Sequence, residues 1–378
     1  MILIKGGVIY TPECYGKADL LIAGDKILAI KEEIALNKDN DLIDEVYNVS
    51  GSIVVPGFVD GHVHLIGGGG EGGFTTRTTG AEEDDFSKAG TTTVIGLLGT
   101  DGITRDLISL LAKVRSLNER GLRSFMLSGS YGYPVKTISG NIERDIVLIP
   151  EILGAGEIAI SDHRGSGVTG YELKRLALEV RRGSMLAGKK GTVVCHMGGS
   201  PDGMKPLFKA VENGELPSSV LLPTHVSRNE NLLDQAIHWV EKKDGFIDFT
   251  AGEKSIHYLK DIMKKEHLLN NITVSTDGCG SLPVFDKDGN LEGIKSAPVD
   301  TLIQTFRELL KAGISVEKTL KPLTYNPAKI FGLLKEGIGQ IKVNGPASFA
   351  ILSGDAMEIT HVFGSGKLLY KAIGRGPV

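Results

Sequence analysis

Eight short apolar runs rich in β-branched residues occur between residue 53 and about residue 276, and most are separated by an amphipathic segment. The runs are SIVVPGFVD, TTTVIGLLG, LRSFMLSG, EIAISD, TVVCHM, SVLLPTH, GFIDFT and ITVSTD. Strands that are apolar along their whole length are typical of parallel sheets, because helices cover both faces of such a sheet. Eight strands alternating with helices predict an α/β fold of the (β/α)8 type, in which the sheet closes into a TIM-like barrel.

Three of the intervening segments show a clear helical pattern, with apolar residues at spacings of three and four and charged residues between them. They are ITRDLISLLAKVRSLNERG, YELKRLALEVRRGSMLAG and NLLDQAIHWVEKKDG. Each segment closes on Gly, so we expect a glycine at each helix C-terminus.

The two ends of the chain have a different pattern, in which short apolar runs alternate with turns. Residues 1–52 include LIKGGVIYT and ADLLIAGDKILAI, and residues 330–378 include GPASFAILSGDAMEITHVFGSGKLLY. Alternation with a period of two predicts half-buried strands. We expect the two ends to pair into one small discontinuous β domain, with the barrel occupying residues 53–329.

Composition excludes several classes of protein. The 378 residues contain 42 Lys and Arg against 46 Asp and Glu, without the basic excess that nucleic-acid binding requires. No apolar run approaches the roughly 18 residues of a membrane span, and MILIKGGVIYTPE does not resemble a signal peptide. The three cysteines are too few and too widely spaced for a disulfide framework. We therefore expect a cytoplasmic protein with no nucleic-acid or membrane partner. We also expect a homo-oligomer, which composition alone does not establish.

Polar residues stand where the predicted strands end, which is the face at which (β/α)8 barrels carry their active sites. The first run leads into His62 and His64, which are two apart on an extended chain and so point to the same side. The other such residues are Glu157 ahead of strand four, Ser161 to Arg164 after it, His196 on strand five, His225 and Arg228 after strand six, and Asp277 after strand eight.

Four histidines and two carboxylates from five strands predict a metal centre. Imidazole and carboxylate donors without thiolate suit Zn²⁺ or a similar divalent ion. Six ligands exceed one tetrahedral site that keeps a position open for water, so we expect two ions that share a bridging carboxylate. Such a pair lowers the pKa of a bound water and polarises a carbonyl, which predicts hydrolysis of an amide or related bond. Asp277 is placed to accept and pass on the proton of the water.

Several longer motifs are more specific than this ligand order. They are PGFVDGHVHLIGGGGEGGFTTRT, VIGLLGTDGITR, AISDHR, HMGGS, LPTHVSRN and STDGCGSLPVFDKDGNL. With them the whole chain resembles the isoaspartyl (β-aspartyl) dipeptidase family, peptidase family M38, of the amidohydrolase superfamily. The segment from Gly67 to Glu71, together with Arg164, Arg228 and Ser281, is typical of that branch, whereas generic amidohydrolases share only the metal ligands.

The resemblance implies how the ligands are divided between two metals. His62, His64 and Asp277 match the residues that hold one metal, and the equivalents of His196 and His225 hold the second. In the family a carboxylated lysine bridges the two ions, but at that position this chain has Glu157. Some other amidohydrolases use Glu at this strand, and we expect Glu157 to be the bridge.

Substrate contacts also follow from the resemblance. Glu71 matches the acceptor for the substrate α-ammonium, and Tyr131 matches the tyrosine that hydrogen-bonds the tetrahedral oxyanion, with Tyr133 close enough to be confused with it. The residues that match groups binding the substrate carboxylates are Arg164, Arg228 and Ser281, and Thr100 is expected to line the site. The implied activity is hydrolysis of β-aspartyl dipeptides, with a metal-bridging hydroxide as nucleophile and Asp277 as proton shuttle.

Two alternatives remain open from the sequence. One is another amidohydrolase, such as a dihydroorotase-like cyclic amidase or an N-acyl amino acid deacylase, for which an ammonium-binding Glu71 has no use. The other is a barrel kept only as a scaffold. His163 has no place in the ligand order, and we expect it to orient a neighbour by a hydrogen bond.

Overall fold

The computed structural model describes residues 1–35, 42–285, 291–354 and 356–372. Its strands are β1 (Ile2–Tyr10), β2 (Cys14–Ala23), β3 (Lys26–Lys31), β4 (Glu45–Asn48), β5 (Ser52–Pro56), β6 (Phe58–Val63), β7 (Thr91–Gly96), β8 (Arg123–Ser128), β9 (Ile152–Ile160), β10 (Thr192–Met197), β11 (Leu221–Thr224), β12 (Ile247–Thr250), β13 (Ile272–Ser275), β14 (Ser281–Phe285), β15 (Leu291–Ser296), β16 (Phe349–Ser353), β17 (Glu358–Gly364) and β18 (Lys367–Lys371). Its α-helices are α1 (Glu83–Lys88), α2 (Leu107–Arg120), α3 (Ile142–Leu148), α4 (Gly170–Leu186), α5 (Lys205–Ala210), α6 (Glu230–Lys243), α7 (Glu253–Ile262), α8 (Thr301–Lys311), α9 (Val316–Leu323) and α10 (Tyr325–Ile330).

Strands β6 to β13 are the eight strands that the apolar runs predict. Strands β6 to β11 form one parallel sheet in sequence order, and β12 pairs in parallel with β13. The two sheets meet at both junctions, because the Val226 N–H donates to Asp248 O at 3.4 Å and the His64 N–H donates to Gly278 O at 2.9 Å. The predicted α/β barrel is therefore confirmed.

The two ends of the chain share a separate sheet. Its strand order is β18-β17-β16-β5-β1-β2-β3, with β4 beside β1. The first apolar run divides between this sheet and the barrel, because Ser52–Pro56 pairs with Phe349–Ser353 while Phe58–Val63 begins the barrel. The chain thus passes from the sheet of the two ends into the barrel at Gly57, a few residues after the expected position. The domain bounds of 1–52 with 330–378 and of 53–329 stay a prediction.

The three predicted helices form, but they end in different ways. Helix α2 ends as expected, with Gly121 in the left-handed conformation at φ 109°. Helix α4 ends on the right-handed Ala187, and Gly188 follows it. Helix α6 ends on Asp244 at φ 51°, where the expectation of a glycine was wrong. Asp tolerates this region better than most residues, because its short side chain can hydrogen-bond locally.

Apolar side chains fill the barrel interior below the ligand-bearing mouth. Val59, Leu127 and Val194 point inward from β6, β8 and β10, and Phe331 packs against them from the end of α10. Phe246 belongs to the same cluster and has Lys190 Nζ 5.2 Å from its ring centroid. This packing closes the lower end of the barrel, so polar chemistry is confined to the other end.

Among the residues described, none of the helices combines the length and apolarity needed to cross a bilayer.

Candidate active site

The six predicted ligands come together at the C-terminal mouth of the barrel. His62 and His196 lie in β6 and β10, whereas His64, His225 and Asp277 follow the ends of β6, β11 and β13. Glu157 lies inside β9, which begins at Ile152, so its expected place ahead of strand four was wrong. The Glu157 side chain is only 1% exposed, which also excludes a surface glutamate.

Glu157 lies at the centre of the cluster. Its Oε2 atom is 2.8 Å from His196 Nδ1 and 3.3 Å from His62 Nε2. The same oxygen is 3.6 Å from His225 Nε2, and the other oxygen, Oε1, is 3.5 Å from His64 Nε2. One carboxylate therefore reaches all four histidines.

Asp277 contacts the two histidines of the first strand. Its Oδ1 atom is 3.1 Å from His64 Nε2 and 3.5 Å from His62 Nε2. The donor atoms form two overlapping groups, each within 4.8 Å: His62, His64 and Asp277, and His62, Glu157 and His225. Both groups combine imidazole nitrogen with carboxylate oxygen, which is the donor set of a divalent transition metal.

Unpaired buried nitrogens show that these residues fit a metal. His62 Nε2 and His225 Nε2 are buried, and although Glu157 Oε2 lies near both, neither nitrogen makes a hydrogen bond of good geometry within the described residues. A buried polar atom without a partner is destabilising, and a metal ion would satisfy both nitrogens. His225 Nδ1 lies 2.6 Å from Thr250 Oγ1, a contact that orients the ring.

The charges of the cluster also favour a cation. Burial disfavours the charged form of His62, but Glu157 and Asp277 raise the pKa of His62 to about 9. Burial opposes ionisation of Glu157 as well, yet His62 and His196 hold its pKa well below the usual range. Burial and the neighbouring His196 lower the pKa of His225 to about 4, which keeps this imidazole neutral as metal ligation requires.

Two ligands lie in strained backbone at the strand ends. His225 has φ 60° and Asp277 has φ 54°, both in the left-handed region that non-glycine residues rarely occupy. The turns aim both side chains back over the barrel mouth, where they meet the cluster. Strain of this kind is typical of functional sites that the surrounding fold holds in place.

A cavity of about 490 Å³ opens above the cluster. Its lining includes the predicted substrate-contact residues, which are Glu71, Thr100, Tyr131, Arg164, Arg228 and Ser281. Volumes of 300 Å³ and above are usual for small-molecule sites. The structure thus places every predicted contact residue around one cavity, together with four of the six ligands, His64, Glu157, His196 and Asp277.

Tyr131 and the two arginines surround His196. The Tyr131 hydroxyl lies 2.9 Å from His196 Nδ1, and burial, together with the nearby Glu157 carboxylate, raises the pKa of Tyr131 well above its ordinary value. Tyr131 therefore keeps its proton and can donate a hydrogen bond into the cavity. Tyr133, which from the sequence could be confused with Tyr131, is half-buried, and its backbone N–H donates to Ser166 Oγ.

Glu71 lies on the glycine-rich loop after β6 and faces the cavity from one side. Its Oε1 atom accepts hydrogen bonds from Thr100 Oγ1 at 3.0 Å and from Ser281 Oγ at 3.3 Å. Arg164 Nη1 is 3.6 Å from the same oxygen. Gly69 allows the close turn, since it has φ 72° and a Cβ there would lie 2.4 Å from Thr76 O. The loop therefore presents a hydrogen-bonded carboxylate at the cavity wall.

The crystal structure of β-aspartyl dipeptidase from Fervidobacterium islandicum AW-1 in complex with β-Asp-Leu dipeptide is similar to this chain over almost all of both molecules. Sequence identity is 40%, the match covers 98% of this chain and 97% of that chain, and the TM-score is 0.90. This chain belongs to the β-aspartyl dipeptidase family. It is accordingly a hydrolytic enzyme of the amidohydrolase superfamily, as the sequence motifs predict.

More distant proteins share the β-aspartyl dipeptidase fold. D-hydantoinase from Bacillus sp. AR9 has 17% identity over 98% of this chain and 95% of that chain, with a TM-score of 0.67, which shows the fold alone. A dihydroorotase from Lactobacillus leichmannii is 32% identical over 47% of this chain and 39% of its own length. The curated relatives are thus matched over less than half of their length. No protein-family model matches the chain.

The structure also shows residues around this cavity for which the sequence patterns predict no role. Asp162, at the end of β9, lies against His196 and Arg164 in the cavity wall. The sequence signals for it are its place within AISDHR and its position just after a predicted strand. The predicted role of its neighbour His163 stays untested, but the His163 side chain is 90% exposed and its Nδ1 is 3.7 Å from Asp162 Oδ1.

Two buried acids below the metal ligands also have no predicted role from the sequence. Asp60 accepts hydrogen bonds from the Thr276 N–H at 3.1 Å and from Thr276 Oγ1 at 2.5 Å, which ties β6 to the turn that carries Asp277. Asp248 accepts hydrogen bonds from three hydroxyls on the two neighbouring strands, those of Thr224 on β11 and of Thr273 and Ser275 on β13. These bonds fix the spacing of the strands beneath the metal ligands.

Proposed function

We propose that this chain is a binuclear metal-dependent hydrolase of β-aspartyl dipeptides. The observation that carries the proposal is the cavity itself, which has a metal-binding cluster at its floor and charged groups of both signs in its walls. The related enzyme of 40% identity is known in complex with β-Asp-Leu. A β-aspartyl dipeptide has one ammonium and two carboxylates around a single amide, and the cavity offers groups that match each of them.

The metal ligands would be divided into two sets that share Glu157. His62, His64 and Asp277 would hold one ion, and His196 and His225 the other, with Glu157 between them. Bound divalent ions at this place would polarise the scissile carbonyl and lower the pKa of a water. Nitrogen and oxygen donors without thiolate favour Zn²⁺ as the ion.

Asp277 is the group proposed to move the proton. Its carboxylate lies at the cavity floor beside His62 and His64, and although burial opposes ionisation, the neighbouring histidines hold the pKa of Asp277 well below its ordinary value. An ionised carboxylate can take a proton from the attacking water and then deliver it to the leaving amine. The Tyr131 hydroxyl would donate a hydrogen bond to the oxyanion from the opposite wall.

Charged side chains in the cavity walls are proposed to bind the charged groups of the substrate. Glu71, held by Thr100 and Ser281, would accept the α-ammonium, and the guanidinium groups of Arg164 and Arg228 would bind the carboxylates. Glu71 and Arg164 are neighbours, 3.6 Å apart. An adjacent carboxylate and guanidinium suit the α-carbon of a β-aspartyl residue, because that carbon bears both an ammonium and a carboxylate.

This pairing also separates the proposal from its nearest alternative. The dihydroorotase match raises a cyclic amidase as a second candidate. A cyclic amide or an N-acyl amino acid carries no ammonium, so it would give Glu71 no group to bind. We therefore favour the dipeptide.

We also propose a cellular location, an oligomeric state and a domain division for the chain. Cys14, Cys195 and Cys279 are free in the structure, which fits a reducing cytoplasm. We also propose a homo-oligomer, and a two-domain division at residues 1–52 with 330–378 and at residues 53–329. The pairing of Ser52–Pro56 with β16 supports extending the first segment to Gly57.

The test is a comparison of three substrates on one preparation with its metal content measured. We expect cleavage of β-Asp-Leu, with α-Asp-Leu and N-acetyl-leucine at least about 100-fold slower. N-acetyl-leucine lacks the ammonium, and α-Asp-Leu does not carry the ammonium and a carboxylate on one carbon, and an unmatched polar group in such a site costs this much or more. We also expect about two metals per chain. Equal cleavage of α-Asp-Leu, or preference for the N-acyl substrate, would contradict the proposed specificity.

A further inference from the structure

Asp162 is a buried carboxylate that none of the proposed steps uses. It follows β9, the strand that carries Glu157, and its side chain is only 2% exposed. Its oxygens contact two residues that belong to different parts of the site. One is His196, a proposed metal ligand, and the other is Arg164, a proposed substrate contact.

The two nitrogens of His196 face two different carboxylates. Nδ1 points to Glu157 Oε2 at 2.8 Å, where the other ligand atoms converge. Nε2 points away from the cluster and lies 3.4 Å from Asp162 Oδ2. An imidazole binds a metal through an unprotonated nitrogen, so His196 can ligate through Nδ1 only when its proton is on Nε2.

The other groups around His196 Nε2 do not favour that tautomer. Arg164 Nη2 is 3.1 Å away and Arg228 Nη2 is 3.3 Å away, and both are cationic donors that cannot accept a proton. The Tyr131 hydroxyl is 3.2 Å away and is neutral. Within the described part of the chain, Asp162 is the anionic acceptor that faces this nitrogen.

Asp162 also accepts hydrogen bonds from two nitrogens of the Arg164 guanidinium. Arg164 Nε donates to Oδ1 at 3.0 Å, and Arg164 Nη2 donates to Oδ2 at 2.7 Å. The Arg164 backbone N–H donates to Oδ1 as well, at 2.8 Å. Paired bonds of this kind fix the plane of a guanidinium. They leave Nη1 directed towards Glu71 and the cavity.

We propose that Asp162 is a positioning residue that serves both halves of the site, by keeping the proton of His196 on Nε2 for metal binding and by clamping Arg164 for the substrate carboxylate. The inference rests on the proposed binuclear function and assigns a further residue to it. A carboxylate behind a metal-bound histidine typically changes metal affinity by 10- to 100-fold. One side chain thereby links metal affinity to substrate affinity.

The experiment measures metal binding without substrate. Chelator-stripped D162N is titrated with Zn²⁺ against a competing chromophoric chelator, alongside the wild-type chain. We expect the weaker of the two Zn²⁺ sites to lose about 10- to 100-fold in affinity. With saturating Zn²⁺, the KM for β-Asp-Leu should rise about tenfold or more, whereas kcat should change less than KM.

Two further variants separate the halves of the proposal. R164M should raise KM and leave Zn²⁺ affinity within about twofold, and D162N/R164M should still lose Zn²⁺ affinity. D202N is the matched control, because Asp202 is an exposed loop carboxylate paired with Lys205. It should behave as wild type in both measurements.

The charge-retaining variant D162E decides the case if D162N does not fold. It should keep Zn²⁺ affinity within about threefold and raise KM, because the longer side chain still accepts from His196 but displaces Arg164. Loss of Zn²⁺ affinity in D162E as large as expected for D162N, or unchanged Zn²⁺ affinity and KM in folded D162N, would overturn the proposal. If wild-type protein binds two Zn²⁺ but does not cleave β-Asp-Leu, the proposed function fails while the Zn²⁺ titration still tests Asp162.

Discussion

Replacing Glu157 by glutamine tests the centre of the proposed metal site. The substitution keeps the shape of the side chain and one oxygen donor but removes a fully buried negative charge. That charge lies 2.8 Å from His196 Nδ1 and 3.3 Å from His62 Nε2, so a metal ion bound to either histidine would be its near neighbour. We expect E157Q to fold and to lose the second metal and most activity.

The size of the effect follows from the distances. Two unit charges about 4 Å apart interact by roughly 4 kcal/mol at the effective dielectric constant of about 20 that suits protein sites. Since each 1.4 kcal/mol is about tenfold in an equilibrium constant and the ion carries two charges instead of one, the lost charge is worth about a thousandfold or more in metal affinity. The retained amide oxygen recovers part of this, so we expect a loss of at least about a hundredfold.

The assay is elemental analysis of gel-filtered protein with turnover of β-Asp-Leu measured on the same sample. Wild-type protein should also reload with two metals equally well with and without added bicarbonate, because a glutamate bridge, unlike a carboxylated lysine, needs no CO₂. The matched control is E151Q, since Glu151 lies just before β9 and pairs with Arg115 instead. Two fully occupied metals and intact turnover in E157Q would refute the reasoning and show that another group bridges the ions.

Three other predictions test separate parts of the molecule. Asp277→Asn should keep the fold while kcat falls by about 10² to 10⁴, the usual worth of a positioned acid-base group, and near wild-type turnover would remove Asp277 from the mechanism. Glu71→Gln should lower kcat/KM for free-amine β-aspartyl dipeptides and leave kcat/KM for N-blocked analogues no lower than before. An equal loss of kcat/KM for the free and the blocked substrates would show that Glu71 does not bind the ammonium. Burial and the neighbouring Lys329 lower the pKa of Lys190 to about 8, whereas an unfolded chain holds that proton up to about pH 10.4. Wild-type stability should therefore rise relative to Lys190→Met between about pH 8 and 10.4, and a flat difference in urea-unfolding free energies across this range would contradict the assignment.

The sequence predicts the barrel because its evidence is local. Each apolar run and each amphipathic segment carries its own pattern, and His62 and His64 need only an extended strand to face the same way. The position of Glu157 within its strand is a feature that such local patterns do not predict. Its position in the middle of β9 depends on Ile152–Gly156 also pairing with β8 and β10. The residues ILGAG before the glutamate carry too weak a pattern to reveal this.

Contacts between distant segments explain the other differences. Asp162 follows a strand like the ligands do, but its role depends on His196 and Arg164 meeting it in space. The β14–β15 hairpin, which begins at Ser281 and brings Ile294 to the cavity, has no strong pattern of its own. The split of the first apolar run at Gly57 depends on β16, far along the chain.

The pairing of β5 with β16 has a consequence for synthesis on the ribosome. Strand β5 lies between β1 and β16 and runs through Gly57 into β6, which carries the first metal ligands. A nascent chain holds all six proposed ligands once Asp277 has emerged, yet one edge of β5 stays unpaired until Phe349–Ser353 follows. An open strand edge is a template for aggregation. Chains cut before residue 349 should therefore be captured by chaperones or precipitate, although they contain every residue of the metal site.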